Sequence, residues 1–173
     1  MPMRWLGAVL VLTASAGGGW MVARRLRRRP QDLRMAQQAV ELLRTEIEYG
    51  ATPLPTALVT VGQRLQGPVQ CLLVGAGGLL GQGQGLSAQE AWRRGLAAAE
   101  DCSAWTPTDV RVLAQLGEAL GATGAEDQIR HMELCMGRLR LAEEEAARVA
   151  ASQARMWLYL GVLTGLGMVV LGV

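Results

Sequence analysis

Few side chains in this chain of 173 residues have types suited to chemistry, and their spacing argues against most of it. General acid–base work needs titratable groups held in a cleft, and nucleophilic catalysis needs a Ser or Cys beside a His. His131 is the single histidine, lies between Arg130 and Met132 in a long helical pattern, and reads as a surface or groove residue. Glu143, Glu144 and Glu145 read as a solvated helix face. Glu41, Glu46 and Glu48 can in principle share a metal ion, but no histidine accompanies them. Cys71, Cys102 and Cys135 stand far apart, form no CxxC pattern, and read as small apolar packing residues. The chain has no lysine, so it has no P-loop, Schiff base or kinase-like phosphate clamp. The glycines from Gly75 to Gly85 fit no GxGxxG window and follow no strand, so this tract reads as a helix-to-helix link. No catalytic residue, cofactor, metal or small-molecule substrate is expected.

One stretch is more pointed: Glu46-Ile47-Glu48-Tyr49-Gly50-Ala51-Thr52-Pro53-Leu54. A helix C-terminus, a glycine free to adopt positive φ, and a Thr-Pro helix start define a tight corner, with Thr52 as N-cap and Pro53 at the first helical position. Tyr49 is suited to anchoring this corner while Glu46 or Glu48 reaches toward a partner. The corner reads first as structural and second as a docking site.

The elements that must position these residues are helical throughout. No run alternates with period two and β-branched residues are thin. Pro30 opens a helix with Leu33, Ala36, Val40, Leu43 and Ile47 on one face, ending at Gly50. A second carries Leu54, Leu58, Val61 and Leu65, and a third Val69, Leu72, Leu73, Ala76, Leu79 and Leu80. Ser87 and Glu90 form a capping box before a fourth helix through Trp92, Leu96 and Ala99. Thr106-Pro107-Thr108-Asp109 opens a fifth with Val110, Leu113, Leu116 and Leu120. The sixth starts near Thr123, lines Ile129, Met132, Met136, Leu139, Ala142, Ala146 and Val149 along one face, and meets no proline before the chain ends. The expected fold is all-α, an antiparallel bundle of about six helices over residues 30–155.

Two apolar stretches flank that domain. Met156 to Val173 is eighteen residues without a charge, about 27 Å as a helix against a hydrocarbon core of roughly 30 Å. Trp5 to Ala23 is nineteen uncharged residues, followed by Arg24, Arg25, Arg27, Arg28 and Arg29. Residues 1–29 and 156–173 are thus expected to hold one transmembrane helix each. One arginine precedes the first stretch and five follow it, which puts residues 30–155 in the cytoplasm. A competing reading is a signal peptide cleaved at Ala14-Ser15-Ala16, but its positive charge would lie before the apolar run, not after it. Gly17, Gly161 and Gly165 are small residues suited to close packing of the spans on each other or on a membrane partner. The middle region carries eleven arginines against all fifteen acids, a poor match to a phosphate backbone, so no nucleic acid is expected. The excess positive charge belongs beside membrane lipid.

Several of these segments together resemble the stage III sporulation protein AB family, membrane proteins of endospore-forming bacteria. They are Ala23-Arg24-Arg25 and Arg29-Pro30 after the first stretch, Thr45-Glu46-Ile47, Tyr49-Gly50, Thr52-Pro53-Leu54, Leu116-Gly117-Glu118-Ala119-Leu120-Gly121, Met156-Trp157 and Leu160-Gly161-Val162-Leu163. The resemblance implies a helical bundle similar to the cytoplasmic domains of F-type platform proteins in type II secretion and type IV pilus machines. It also implies a place in the mother-cell membrane, within a secretion-like complex joining mother cell to forespore. The implied partners are the cytoplasmic sporulation ATPase, stage III sporulation protein AA, and other membrane proteins of that complex. A non-enzymatic scaffold is the leading reading; a membrane-anchored signal transmitter and a small oligomeric channel component are the alternatives.

Overall fold

The structure, a computed structural model, describes residues 28–50, 52–83, 85–120 and 124–172, with the backbone alone at 125, 154–155 and 157–172. The described residues form six helices and no strand. These are α1 (28–49), α2 (Leu54–Gln63), α3 (Pro68–Gly81), α4 (Ala88–Glu100), α5 (Pro107–Ala119) and α6 (Ala125–Gly172). Two units divide the chain, Arg29–Glu144 and a second made of Met1–Arg28 with Glu145–Val173.

In the Arg29–Glu144 unit each helix buries the face that its spacing marks out. Leu33, Ala36, Val40 and Leu43 of α1 are buried, joined by Ala39, while Ile47 is half-buried at the fraying end. Leu58 and Val61 of α2, Leu72 and Leu73 of α3, Trp92 and Leu96 of α4, Leu113 and Leu116 of α5, and Met132 and Leu139 of α6 complete the core. Each fully buried leucine contributes on the order of 1.5–3 kcal/mol relative to an exposed one.

Ion pairs fix the helix directions. Arg34 meets Glu143 at 2.7 Å and Arg44 meets Glu133 at 3.5 Å, so ten residues up α1 match ten residues down α6 and the two run antiparallel. Helix α5 is antiparallel to α6 as well, with Thr108 and Asp109 beside Leu141 and Ala142 at one end and Ala119 beside His131 at the other. It follows that α1 and α5 are parallel and start at the same end of the unit.

The remaining helices stack in sequence, α2 on α3, α3 on α4 and α4 on α5. Glycine sets how closely they approach. A Cβ on Gly95 of α4 would lie 2.6 Å from the Leu72 carbonyl oxygen of α3, so the backbones touch there. A Cβ on Gly117 of α5 would overlap the Trp92 ring, 2.2 Å from its Cδ1. Trp92 therefore lies flat against α5, and its Nε1–H donates to the Leu113 carbonyl at 2.8 Å.

Helix starts differ from expectation in two places. Pro53, not Thr52, is the N-cap of α2, with Pro55 in the first turn, and the Thr52 hydroxyl donates to the Gly50 carbonyl at 3.2 Å. Pro53 has an extended ψ of 136° and Pro55 takes the second helical position, where its missing N–H costs nothing, so the helix starts at Leu54. At α4 the Ser87 hydroxyl accepts from the Glu90 amide, but the Glu90 carboxylate is drawn to Arg93 and Arg94, at 2.8 and 2.9 Å.

In the second unit α6 continues without a break to Gly172. Ala146 is buried, whereas Val149, expected on the apolar face, is 45% exposed. No helix among the described residues is long and apolar enough to cross a membrane. The stretch Trp5 to Ala23 lies outside the described residues, and of 157–172 only the helical backbone is described.

Candidate docking site

The parallel start of α1 and α5 creates a clamp. Arg29, in the earliest described turn of α1, donates from Nε to Asp109 Oδ2 at 3.0 Å and from Nη2 to Asp109 Oδ1 at 3.2 Å. This bidentate fork is the geometry in which a guanidinium binds a carboxylate best. Asp109 is 2% exposed and closes the capping box of α5: its carboxylate accepts from the Thr106 amide at 2.8 Å, and its own amide donates to the Thr106 hydroxyl at 3.4 Å. Burial pushes the Asp109 carboxyl up, but the Arg29 and Thr106 hydrogen bonds outweigh it and hold the carboxyl below its ordinary value. Beside the clamp, Asp32 accepts from the Ala104 amide at 2.9 Å, tying α1 to the α4–α5 link. The sequence assigns Arg29 to membrane orientation and to the Arg29-Pro30 resemblance, whereas its pairing into the bundle arises only in the fold. The signal lay in Asp109, three residues after Thr106 at a helix start.

At the opposite end of α1 stands the corner 46–54. Both carboxylates lie beside arginines, Glu46 near Arg64 at 3.8 Å and Glu48 near Arg44 at 3.6 Å, as ion pairs longer than hydrogen bonds. Tyr49 does not anchor the corner: it is 78% exposed. A hydrogen bond to the Glu48 carboxylate, reinforced by that charge, pushes the Tyr49 phenol above its ordinary value, so it stays neutral. Gly50 does not take the left-handed conformation expected of it; its role is steric. Its amide donates to the Glu46 carbonyl at 3.0 Å, and a Cβ there would lie 2.6 Å from that same oxygen. Leu54 is half-buried, and Thr52 and Pro53 carry the chain from Gly50 into α2. The expected roles are therefore exchanged. The glutamates sit beside arginines and the aromatic ring is exposed, which suits an aromatic contact with a partner protein.

The groove between α5 and α6 brings Glu118, His131 and Cys135 onto one lining. It does not make an activated thiol. Burial pushes Cys135 up to about 12, the reverse of what a nucleophilic cysteine needs. Among the described residues no group of three His, Cys, Asp or Glu side chains can hold a metal ion. The cysteines also correct the expectation of uniform packing residues, since Cys135 is buried but Cys71 and Cys102 are exposed. Arg28 is exposed, while Arg24, Arg25, Arg27 and Gly17 lie outside the described residues, as do the surroundings of Gly161 and Gly165.

Comparison with known proteins agrees across sequence and fold. Residues 4–171 match the family model described as stage III sporulation protein AB. A stage III sporulation protein AB from Bacillus subtilis (strain 168) is 32% identical over 169 residues, covering 98% of each chain. A solved structure of stage III sporulation protein AB (SpoIIIAB) superposes with a TM-score of 0.67 at 31% identity, covering 72% of this chain and 97% of that one. This chain belongs to the stage III sporulation protein AB family.

Proposed function

We propose that this chain is a non-enzymatic platform of the mother-cell membrane, acting in a secretion-like complex between mother cell and forespore during endospore formation. Two spans, residues 5–23 and 156–173, hold it in the bilayer, and its central bundle faces the cytoplasm. There it docks the cytoplasmic sporulation ATPase, stage III sporulation protein AA, while the spans meet other membrane components. Family membership supports the role in sporulation. The uncharged stretches and the arginines between them support the anchoring and its orientation. The likeness to F-type platform proteins that the family resemblance implies supports the coupling role.

The observation that carries the docking is Tyr49, an aromatic ring 78% exposed on a corner whose neighbouring charges are already paired. Exposed aromatics on rigid supports are typical anchors of protein interfaces, where truncation costs about 2 kcal/mol or more. Tyr49→Ala in the full chain is expected to weaken copurification of the ATPase roughly 30-fold and to reduce sporulation in a complementation assay. Its thermal unfolding should stay unchanged. Undiminished copurification by a normally folded variant would contradict docking through this corner.

A second reading, a transmitter of span movement, is favoured by the unbroken α6.

A further inference from the structure

Cys71 and Cys102 meet although the sequence sets them far apart. Helices α3 and α4 are joined by residues 82–87 and pack as antiparallel neighbours, with the Gly95 backbone against Leu72. Cys71 adjoins Leu72 in the first turn of α3. Cys102 follows the end of α4, in a turn where its amide and its thiol both donate to the Ala99 carbonyl at 3.3 Å. The end of α4 thus returns to the start of α3, which brings the Cys71 and Cys102 side chains within electrostatic reach of each other. Both residues are exposed, unlike Cys135, whose thiol is buried against α5. A reagent in solution can reach the pair but not the third cysteine.

We propose that Cys71 and Cys102 form a dithiol modification site that closes reversibly into an intramolecular disulfide by exchange with a low-molecular-weight disulfide, stapling the start of α3 to the end of α4. In the first step the Cys71 thiolate attacks one sulfur of the added disulfide, giving a mixed disulfide on Cys71 and releasing one equivalent of small thiol. In the second, the Cys102 sulfur attacks the Cys71 sulfur of that mixed disulfide and expels the second equivalent. The two cysteines lose two electrons and two protons, and the added disulfide gains them. Partial burial and the neighbouring Cys71 raise the Cys102 thiol above its ordinary value, which lowers its thiolate fraction and disfavours it as the first attacker. An intramolecular partner acts at a high effective concentration, so the mixed disulfide should be short-lived. A metal-binding alternative lacks ligands, because no third His, Cys, Asp or Glu completes a set among the described residues.

The test uses the full chain in detergent micelles, incubated with oxidised glutathione, quenched in acid and alkylated in denaturant. Proteolysis after Arg94 separates the two cysteines, and mass spectrometry then reads which are linked. The expected product is a Cys71–Cys102 linked peptide that dithiothreitol resolves, with Cys135 recovered fully alkylated. Cys102→Ser, at an exposed position, should instead accumulate a stable glutathione adduct on Cys71. Stable glutathione adducts on the native chain without the linked peptide would overturn the proposal. So would links between separate chains, or three cysteines that all remain alkylatable.

Discussion

Arg29 and Asp109 carry the sharpest consequence at the scale of single residues. Removing the guanidinium leaves a carboxylate that is 2% exposed without its bidentate partner. Arg29→Ala is therefore expected to destabilise the bundle by about 2 kcal/mol, below the 3–5 of a fully buried pair because Arg29 itself is 28% exposed. The sign of the pH dependence follows from the lowered carboxyl. An unfolded aspartate titrates near about 3.9, so the folded protein gains stability from Asp109 above that pH and loses it as pH falls through the lower folded value. Thermal unfolding followed by far-UV circular dichroism between neutral pH and pH 3 should show a steeper acid loss in the native chain than in Asp109→Asn. The sequence marks Thr106-Pro107-Thr108-Asp109 as a helix start, because such signals are local. It could not show that Arg29 closes on it from eighty residues away, since that contact exists only once α1 and α5 lie parallel. Tyr49 is the same lesson reversed: its corner was legible, but which side chain points outward depended on Arg44 and Arg64 taking up the two glutamates.

At the scale of elements, the helices were legible because burial repeats at three and four residues, as in Leu33, Ala36, Val40 and Leu43. What stayed hidden was how closely they approach one another. Gly117 sits within a segment that resembles the family, yet its steric role appears only with Trp92 lying across it. Gly117→Ala should gain about 1 kcal/mol of helix propensity and lose more than that in overpacking, for a net loss of about 2 kcal/mol in thermal unfolding. The Trp92 ring is 2% exposed and hydrogen-bonded, so it cannot swing away. Trp92→Phe, which keeps most of the ring but drops the Nε1–H, should cost about 1 kcal/mol by the same measurement. Helix α6 offers a functional test of continuity. Ala146→Pro removes one backbone hydrogen bond and kinks the helix at a cost of about 3 kcal/mol. If α6 transmits movement, this variant should reach normal membrane levels by immunoblot yet fail to restore sporulation; full complementation would remove the transmitter reading.

On the scale of the whole molecule, the platform proposal calls on binding and makes no use of turnover. Its single histidine lines a groove beside a thiol that burial keeps protonated, and several of its carboxylates pair with arginines. A platform needs instead a stable bundle, an exposed contact point and a membrane anchor. The central claim, that the bundle is available to a cytoplasmic ATPase, depends on which side of the membrane it occupies. The direct measurement replaces Cys71, Cys102 and Cys135, places one cysteine at the exposed loop residue Gln66, and exposes intact, non-sporulating cells expressing the full chain to a membrane-impermeant maleimide. Labelling only after lysis is the result this account predicts. Labelling of intact cells would put the bundle outside the cytoplasm and contradict the platform.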